Sequence, residues 1–211
     1  MIMKKLATSI LFSLLCVHFL SAQGWSDRTS SQYDNDWSIG FGINGINDSG
    51  TSAEDLFNAS DNWNFGNPFY VSAENYINNQ FSIGAILSFN KIKEGKKIDG
   101  ETILEGANEA GYAALDLAVK YSFRDLLKSK AFEPYVFAGL GVTYIGDYQT
   151  EENIEIKEAK SRMTINSGFG ANYWFSSNWG INLNLAGKIG IGPNISNQLQ
   201  ASLGVLYRLN K

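Results

Sequence analysis

From residue 36 onward the chain alternates apolar and polar side chains with a period of two, which sends successive side chains to opposite faces of an extended strand. Eight such runs follow one another. Run 36–46 sets Trp37, Ile39, Phe41 and Ile43 against Ser38, Gly40, Gly42 and Asn44. Run 68–77 sets Phe69, Val71 and Ala73 against Tyr70, Ser72, Glu74 and Tyr76. Run 80–90 carries Phe81, Ile83, Leu87 and Phe89 on one face, and run 112–123 carries Leu115, Leu117, Val119, Tyr121 and Phe123. Run 133–145 is apolar on both faces, and Val136, Ala138, Leu140, Val142 and Tyr144 are the favoured outward set. Run 162–175 sets Met163, Ile165, Phe169 and Tyr173 against Thr164, Asn166 and Asn172. Run 178–189 sets Trp179, Ile181 and Leu183 against Asn182, Asn184 and Lys188. Run 198–209 sets Leu203, Val205 and Tyr207 against Gln200, Ser202 and Arg208.

Each run has about ten to twelve residues, the length a tilted strand needs to cross a bilayer and about twice the usual strand of a soluble sheet. The links alternate in length. Links 47–67, 91–111, 146–161 and 190–197 are long, whereas 78–79 and 176–177 are two-residue turns. Link 124–132 is intermediate, and its Leu126 and Leu127 suit a short helical turn. The alternating segment 153–157 in the acidic third long link suggests a strand extending above the membrane. In hydrocarbon an open sheet edge leaves backbone groups without partners, so membrane-spanning strands must close into a barrel. The expected fold is all-β: an eight-stranded antiparallel up-and-down transmembrane β-barrel over 36–211.

In such a barrel the apolar face points outward and is bordered by aromatic side chains near the strand ends. The candidate girdle is Trp37, Phe69, Phe81, Phe89, Tyr121, Phe123, Tyr144, Tyr173, Trp179 and Tyr207. The other face fills the lumen with small and polar residues, and its charges need partners there. Glu74, Asp116, Lys120, Lys188 and Arg208 form the candidate interior network, with Glu74 and Asp116 expected to pair with Lys120 and Arg208. The expectation is a structural polar plug. The inside-out alternative is a soluble lipocalin-like binder, with Leu117, Leu183 and Leu203 in a dry centre and Lys120 and Asn184 facing water.

The first 22 residues differ from the rest. Lys4 and Lys5 precede an apolar stretch from Leu6 to Leu20, and Ser21-Ala22 supply the small residues of a cleavage site. Residues 1–22 therefore read as a signal peptide, cut after Ala22 or Gln23, and 23–35 as a polar tail. Cys16 and His18 are the chain's sole cysteine and histidine. Both lie in the leader, and Leu14-Leu15 before Cys16 does not fit a lipidation site. The processed chain then offers no disulfide, no Cys or His catalysis and no metal site built on those ligands. No catalytic residue, metal site or cofactor is expected. A net charge of -4 gives no footprint for nucleic acid.

The leader, the eight runs and the loop asymmetry together resemble the small outer-membrane barrels of the OmpA and OmpX type in the porin family. The resemblance implies export to the outer membrane of a Gram-negative bacterium, lipid and the barrel-assembly machinery as partners, and a monomeric state. It further implies a non-enzymatic role in envelope integrity, surface interaction or limited small-solute passage. The C-terminal Tyr207-Arg208-Leu209-Asn210-Lys211 keeps the alternation but lacks the terminal Phe that such barrels often carry. Lipid enzymes on similar barrels use a His with Ser or Asp, a base this processed chain would lack.

Overall fold

Residues 36–50, 62–129, 131–152, 154–192 and 196–209 are described by a computed structural model. The leader and the polar tail, residues 1–35, lie outside the described residues. Eight long strands make the wall: β1 (Trp37–Asn47), β2 (Gly66–Tyr76), β3 (Phe81–Ile92), β4 (Ala110–Ser122), β5 (Phe132–Ile145), β6 (Lys160–Trp174), β7 (Trp179–Ile191) and β8 (Gln198–Leu209). Each pairs antiparallel with its sequence neighbour, and β8 returns to pair with β1 from Trp37↔Leu209 to Asn47↔Leu199. The sheet is closed, so neither terminal strand leaves its ladder groups unpaired.

The two faces of the wall separate as the alternation requires. Leu117, Leu183 and Leu203 are 56, 60 and 52 % exposed, whereas Lys120 and Asn184 are buried. The apolar set points out of the cylinder and the polar set points in, which removes the inside-out alternative. In β5 the outward residues are Val136, Leu140, Val142 and Tyr144, while Tyr135 is buried in the lumen. Interior glycines make room for such rings. A Cβ at Gly204 would lie 2.2 Å from Tyr70 Oη, and one at Gly170 would lie 2.5 Å from Tyr135 Oη.

At one end the chain turns tightly. Asn78 Oδ1 accepts the Gln80 and Phe81 amides at 2.8 Å, and Ser176 Oγ accepts the Trp179 amide at 2.9 Å. A short polar side chain bonding to backbone two or three residues on is a standard way to hold a turn. The third connection at this end contains the one-turn helix α1 (Arg124–Leu127). At the opposite end the described parts of the long links pack at the mouth. Trp63–Asn64 adds a short pairing to the end of β1, and Lys97–Ile98 pairs with Glu101–Thr102 as a small hairpin. Segment 154–157 does not extend the barrel. Among the described residues its one β-bridge is Tyr148↔Lys157, while Thr150 bridges to Ile103 of the preceding link.

Candidate functional site

The lumen is filled in layers. Nearest the tight turns, Glu133 gathers donors from four directions. Its Oε2 accepts from Trp174 Nε1 at 2.8 Å, Tyr76 Oη at 3.3 Å and Asn172 Nδ2 at 3.4 Å. Arg124 of α1 reaches in from below, with Nη1 3.9 Å from Glu133 Oε1. Arg208 lies over Trp174, its guanidinium carbon 3.8 Å from the ring centroid, and 5.5 Å from that of Tyr76. A planar, weakly hydrated guanidinium suits that stacked position.

The next layers hold two lysine–carboxylate pairs. Lys120 Nζ is 2.6 Å from Glu74 Oε2, Ser82 donates to the other Glu74 oxygen, and Tyr135 offers its ring face to the same ammonium. Lys188 Nζ is 2.6 Å from Asp116 Oδ2, and Asn166 donates to Asp116 Oδ1 at 2.7 Å. The pairing thus differs from the expected one. Glu74 takes Lys120, Asp116 takes Lys188, and Arg208 sits over Trp174. The reason is level within the cylinder: the register puts Lys120 beside Ser82, next to Glu74, whereas Lys188 and Asp116 meet nearer the mouth. Between the pairs lies a cavity of about 30 Å³, bordered by Asp116, Lys120, Lys188, Asn184 and Gln200. That volume suits about two waters.

The mouth departs from the expectation of a uniformly polar lumen. The inward rows of β1, β3 and β5 become apolar at their loop ends, at Ile46, Ile92 and Ile145. The hairpin supplies Ile98, and the same link supplies Ile103; with Tyr112 and Tyr148 they form a buried apolar cluster across the opening. Beside it, Asp48 and Asp99 from the first two long links meet Lys160 and Arg162 of β6 and the Ser196 hydroxyl of the fourth link. Arg162 Nη1 is 2.8 Å from Asp99 Oδ1, and its Nη2 is 3.7 Å from Asp48 Oδ2. Ser196 Oγ lies between both carboxylates, Lys160 contacts Asp99, and Tyr148 Oη donates to Asp99 at 3.0 Å. A second clamp joins Glu101 to Lys157 at 2.6 Å and to Thr150 at 2.7 Å.

Burial pushes the Asp48 carboxyl up to about 6, against the opposing charge of Arg162 and with the help of neighbouring Asp99. Burial also acts on Asp99, but the hydrogen bond from Lys160 and the charges of Arg162 and Lys160 outweigh it and hold that carboxyl down at about 2.

Glu133, Arg124, Arg162, Asp48 and Asp99 were not among the candidate residues. Arg162 and Glu133 occupy inward positions by parity, in register with Thr164 and Tyr135, so the alternation alone points to them. Asp48 and Asp99 sit in links, and no period marks them.

The aromatic candidates fall unevenly between the two rims. Trp37, Phe81, Tyr121, Phe123, Tyr173, Trp179 and Tyr207 lie toward the tight-turn end, with ring contacts at 5.1 Å (Phe81–Tyr121, Tyr121–Phe123) and 4.8 Å (Trp179–Tyr207). Phe69, Phe89 and Tyr144 lie toward the long links, on β2, β3 and β5. Among the described residues there is no group of three or more His, Cys, Asp or Glu side chains arranged to hold a metal ion.

Solved structures share this architecture at low sequence identity. The N-terminal β-barrel domain of OprF from Pseudomonas aeruginosa is 15 % identical, with a TM-score of 0.54 over 83 % of this chain and 98 % of that one. The outer membrane protein OprG of the same organism is 11 % identical, with a TM-score of 0.55 over 87 % and 100 %. Neisserial surface protein A is 13 % identical, with a TM-score of 0.52 over 82 % and 96 %. No curated protein sequence matches the chain. The sequence itself matches the outer membrane protein beta-barrel domain over residues 12–208, and with a closed eight-stranded wall, a greasy exterior and a filled interior the chain belongs to that family.

Proposed function

We propose that this outer-membrane barrel is a closed, non-catalytic scaffold that serves the envelope through its outer surface and folded links, not as a conduit. The observation that carries this reading is the double closure of the lumen. Lysine–carboxylate pairs occupy the middle, and the apolar cluster of Ile46, Ile92, Ile98, Ile103 and Ile145 seals the mouth. An ion crossing the lumen would have to separate buried pairs and then enter a dry apolar layer, and both steps are costly. The chemistry presented outside is that of the third long link, where exposed Glu151, Glu152, Glu155 and Glu158 surround Ile154 and Ile156. Such a surface favours contact with a partner that has both basic and apolar groups.

Planar-bilayer recordings and vesicle swelling test the closure. The reconstituted protein is expected to give no stepwise conductance and no sugar-driven swelling. Reproducible single-channel steps from protein free of contaminating porins would overturn the scaffold reading in favour of solute passage.

A further inference from the structure

The tight-turn rim carries one connection unlike its neighbours. Two of its turns are closed by polar side chains, Asn78 and Ser176. The third presents Leu126 and Leu127 at 78 and 53 % exposure. Scattered exposed leucines need no explanation. These two adjoin an existing apolar border. Phe123, immediately before α1, meets Tyr121 edge-on, and Tyr121 meets Phe81. The far end of the connection is tied to β6 by the Trp174 amide on the Ala131 carbonyl at 2.8 Å, next to Phe175, which is 52 % exposed.

The leucines are also fixed in place. Arg124, buried in the lumen floor, holds α1 from inside through the Glu133 carboxylate and the Asn79 carbonyl. The Leu127 amide bonds the Phe123 carbonyl at 3.0 Å, and Lys128 closes the turn in the left-handed region at φ 50, its amide on the Asp125 carbonyl. With the arginine inside, α1 cannot roll its leucines under. Exposed Asp125 and Lys128 flank them.

The geometry points to a membrane-surface anchor: the 123–131 connection seats Leu126 and Leu127 in the headgroup–acyl boundary of the phospholipid leaflet on the tight-turn side. Apolar side chains flanked by charge, held beside a lipid-facing band, are the arrangement that lies in such a boundary. Lys128 then sits at the level of the lipid phosphates, where a cation is favoured. The tight-turn side is the periplasmic side in outer-membrane barrels. The anchor extends the lipid contact of the β4–β6 sector one layer beyond the girdle.

The test uses the full chain in vesicles of phosphatidylethanolamine and phosphatidylglycerol. In a Cys16→Ser background, Leu126→Cys or Leu127→Cys introduces a single site for a nitroxide label, and Asn78→Cys marks a polar turn of the same rim. Power saturation at 126 and 127 is expected to show oxygen more accessible than an aqueous nickel chelate, with the reverse at 78. Nickel accessibility at 126 equal to that at 78 overturns the anchor. Shielding of 126 from both probes overturns it too, because it signals protein contact. Should the labelled variants fold poorly, the native chain gives the same answer by NMR. The Leu126 and Leu127 methyls should broaden with an acyl-chain nitroxide lipid and not with an aqueous gadolinium chelate; the opposite pattern rejects the anchor. Leu117 and Leu183 serve as reference: if they fail to broaden, the membrane assignment itself has failed.

Discussion

The floor and the mouth of this barrel are both packed with side chains, but by different means. At the floor, strand residues do the work: Glu133, Trp174, Tyr76, Asn172 and Arg208 all project inward from the wall, with Arg124 entering from α1. Their positions follow from the sheet register, and the ladder itself brings Trp174, Tyr76 and Asn172 to the Glu133 carboxylate and Arg208 to the Trp174 ring. At the mouth, the links do the work. Ile98 and Asp99 arrive on a two-residue-armed hairpin, Tyr148 and Thr150 from the next link, and Ser196 from the last. The floor and mid-lumen contacts are part of the wall and should unfold only with it, whereas the mouth can open while the wall stays intact. Stability is distributed in this uneven way in many proteins, with loop regions opening at lower free energy than the ladder they decorate.

The largest effect is expected where a buried charge in the wall loses its partner. Lys120→Met leaves the buried Glu74 carboxylate without its ammonium. The cost should be about 3–5 kcal/mol in urea unfolding from lipid vesicles, and Glu74→Gln added to Lys120→Met should restore most of it. A single variant as stable as the native barrel would break the contrast at its strong end. Ile98→Ala comes next. Removing this fully buried side chain should cost about 2–4 kcal/mol, near the lower part of the range for such truncations because a hairpin can settle into the space. The loss should appear as faster amide exchange at 97–103, with the barrel's own unfolding midpoint almost unmoved. An equal shift of both would mean that mouth and wall form one cooperative unit.

The smallest effect is a pH response confined to the mouth. Asp48 stands at about 6 when the mouth is closed and regains the ordinary value of 3.8 when it opens. The closed state therefore binds the extra proton between those values, so closure strengthens as pH falls from about 6 to 4 and weakens again as pH rises through that window. Asp99 acts with the opposite sign. Its closed-state value of about 2 lies below 3.8, so its contribution is complete above about pH 4 and is lost as pH falls toward 2. Amide protection of the hairpin, corrected for intrinsic exchange, should peak near pH 4, changing by at most about tenfold per pH unit for each proton. In Asp48→Asn the rise between pH 6 and 4 should vanish while the decline below 4 remains. Protection that falls steadily from pH 7 downward in the native protein would contradict the sign for Asp48.

Two-residue periodicity made the wall legible. A ladder with one greasy and one polar face has a single way to satisfy its backbone in lipid, so strand count, strand length and the outward set follow from the pattern. The same parity placed Glu74, Asp116, Lys120, Lys188 and Arg208 in the lumen, yet it could not rank them by height, and so it could not assign Lys188 to Asp116 or Arg208 to Trp174. Height depends on the stagger between strands, which side-chain order along one strand does not encode.

The sequence by itself determined the closed antiparallel wall, its lipid-facing set and its alternating links, because those depend on nearest neighbours along and across a ladder. Only the tertiary structure decided which lumen charges meet, that Ile98 and Ile103 join the buried apolar cluster at the mouth, and that Arg124 is buried beside the exposed Leu126 and Leu127. Those contacts join residues 9 to 148 positions apart, such as Arg124 with Glu133 and Asp48 with Ser196. They depend on where the closed cylinder delivers each strand end, information that no local pattern carries.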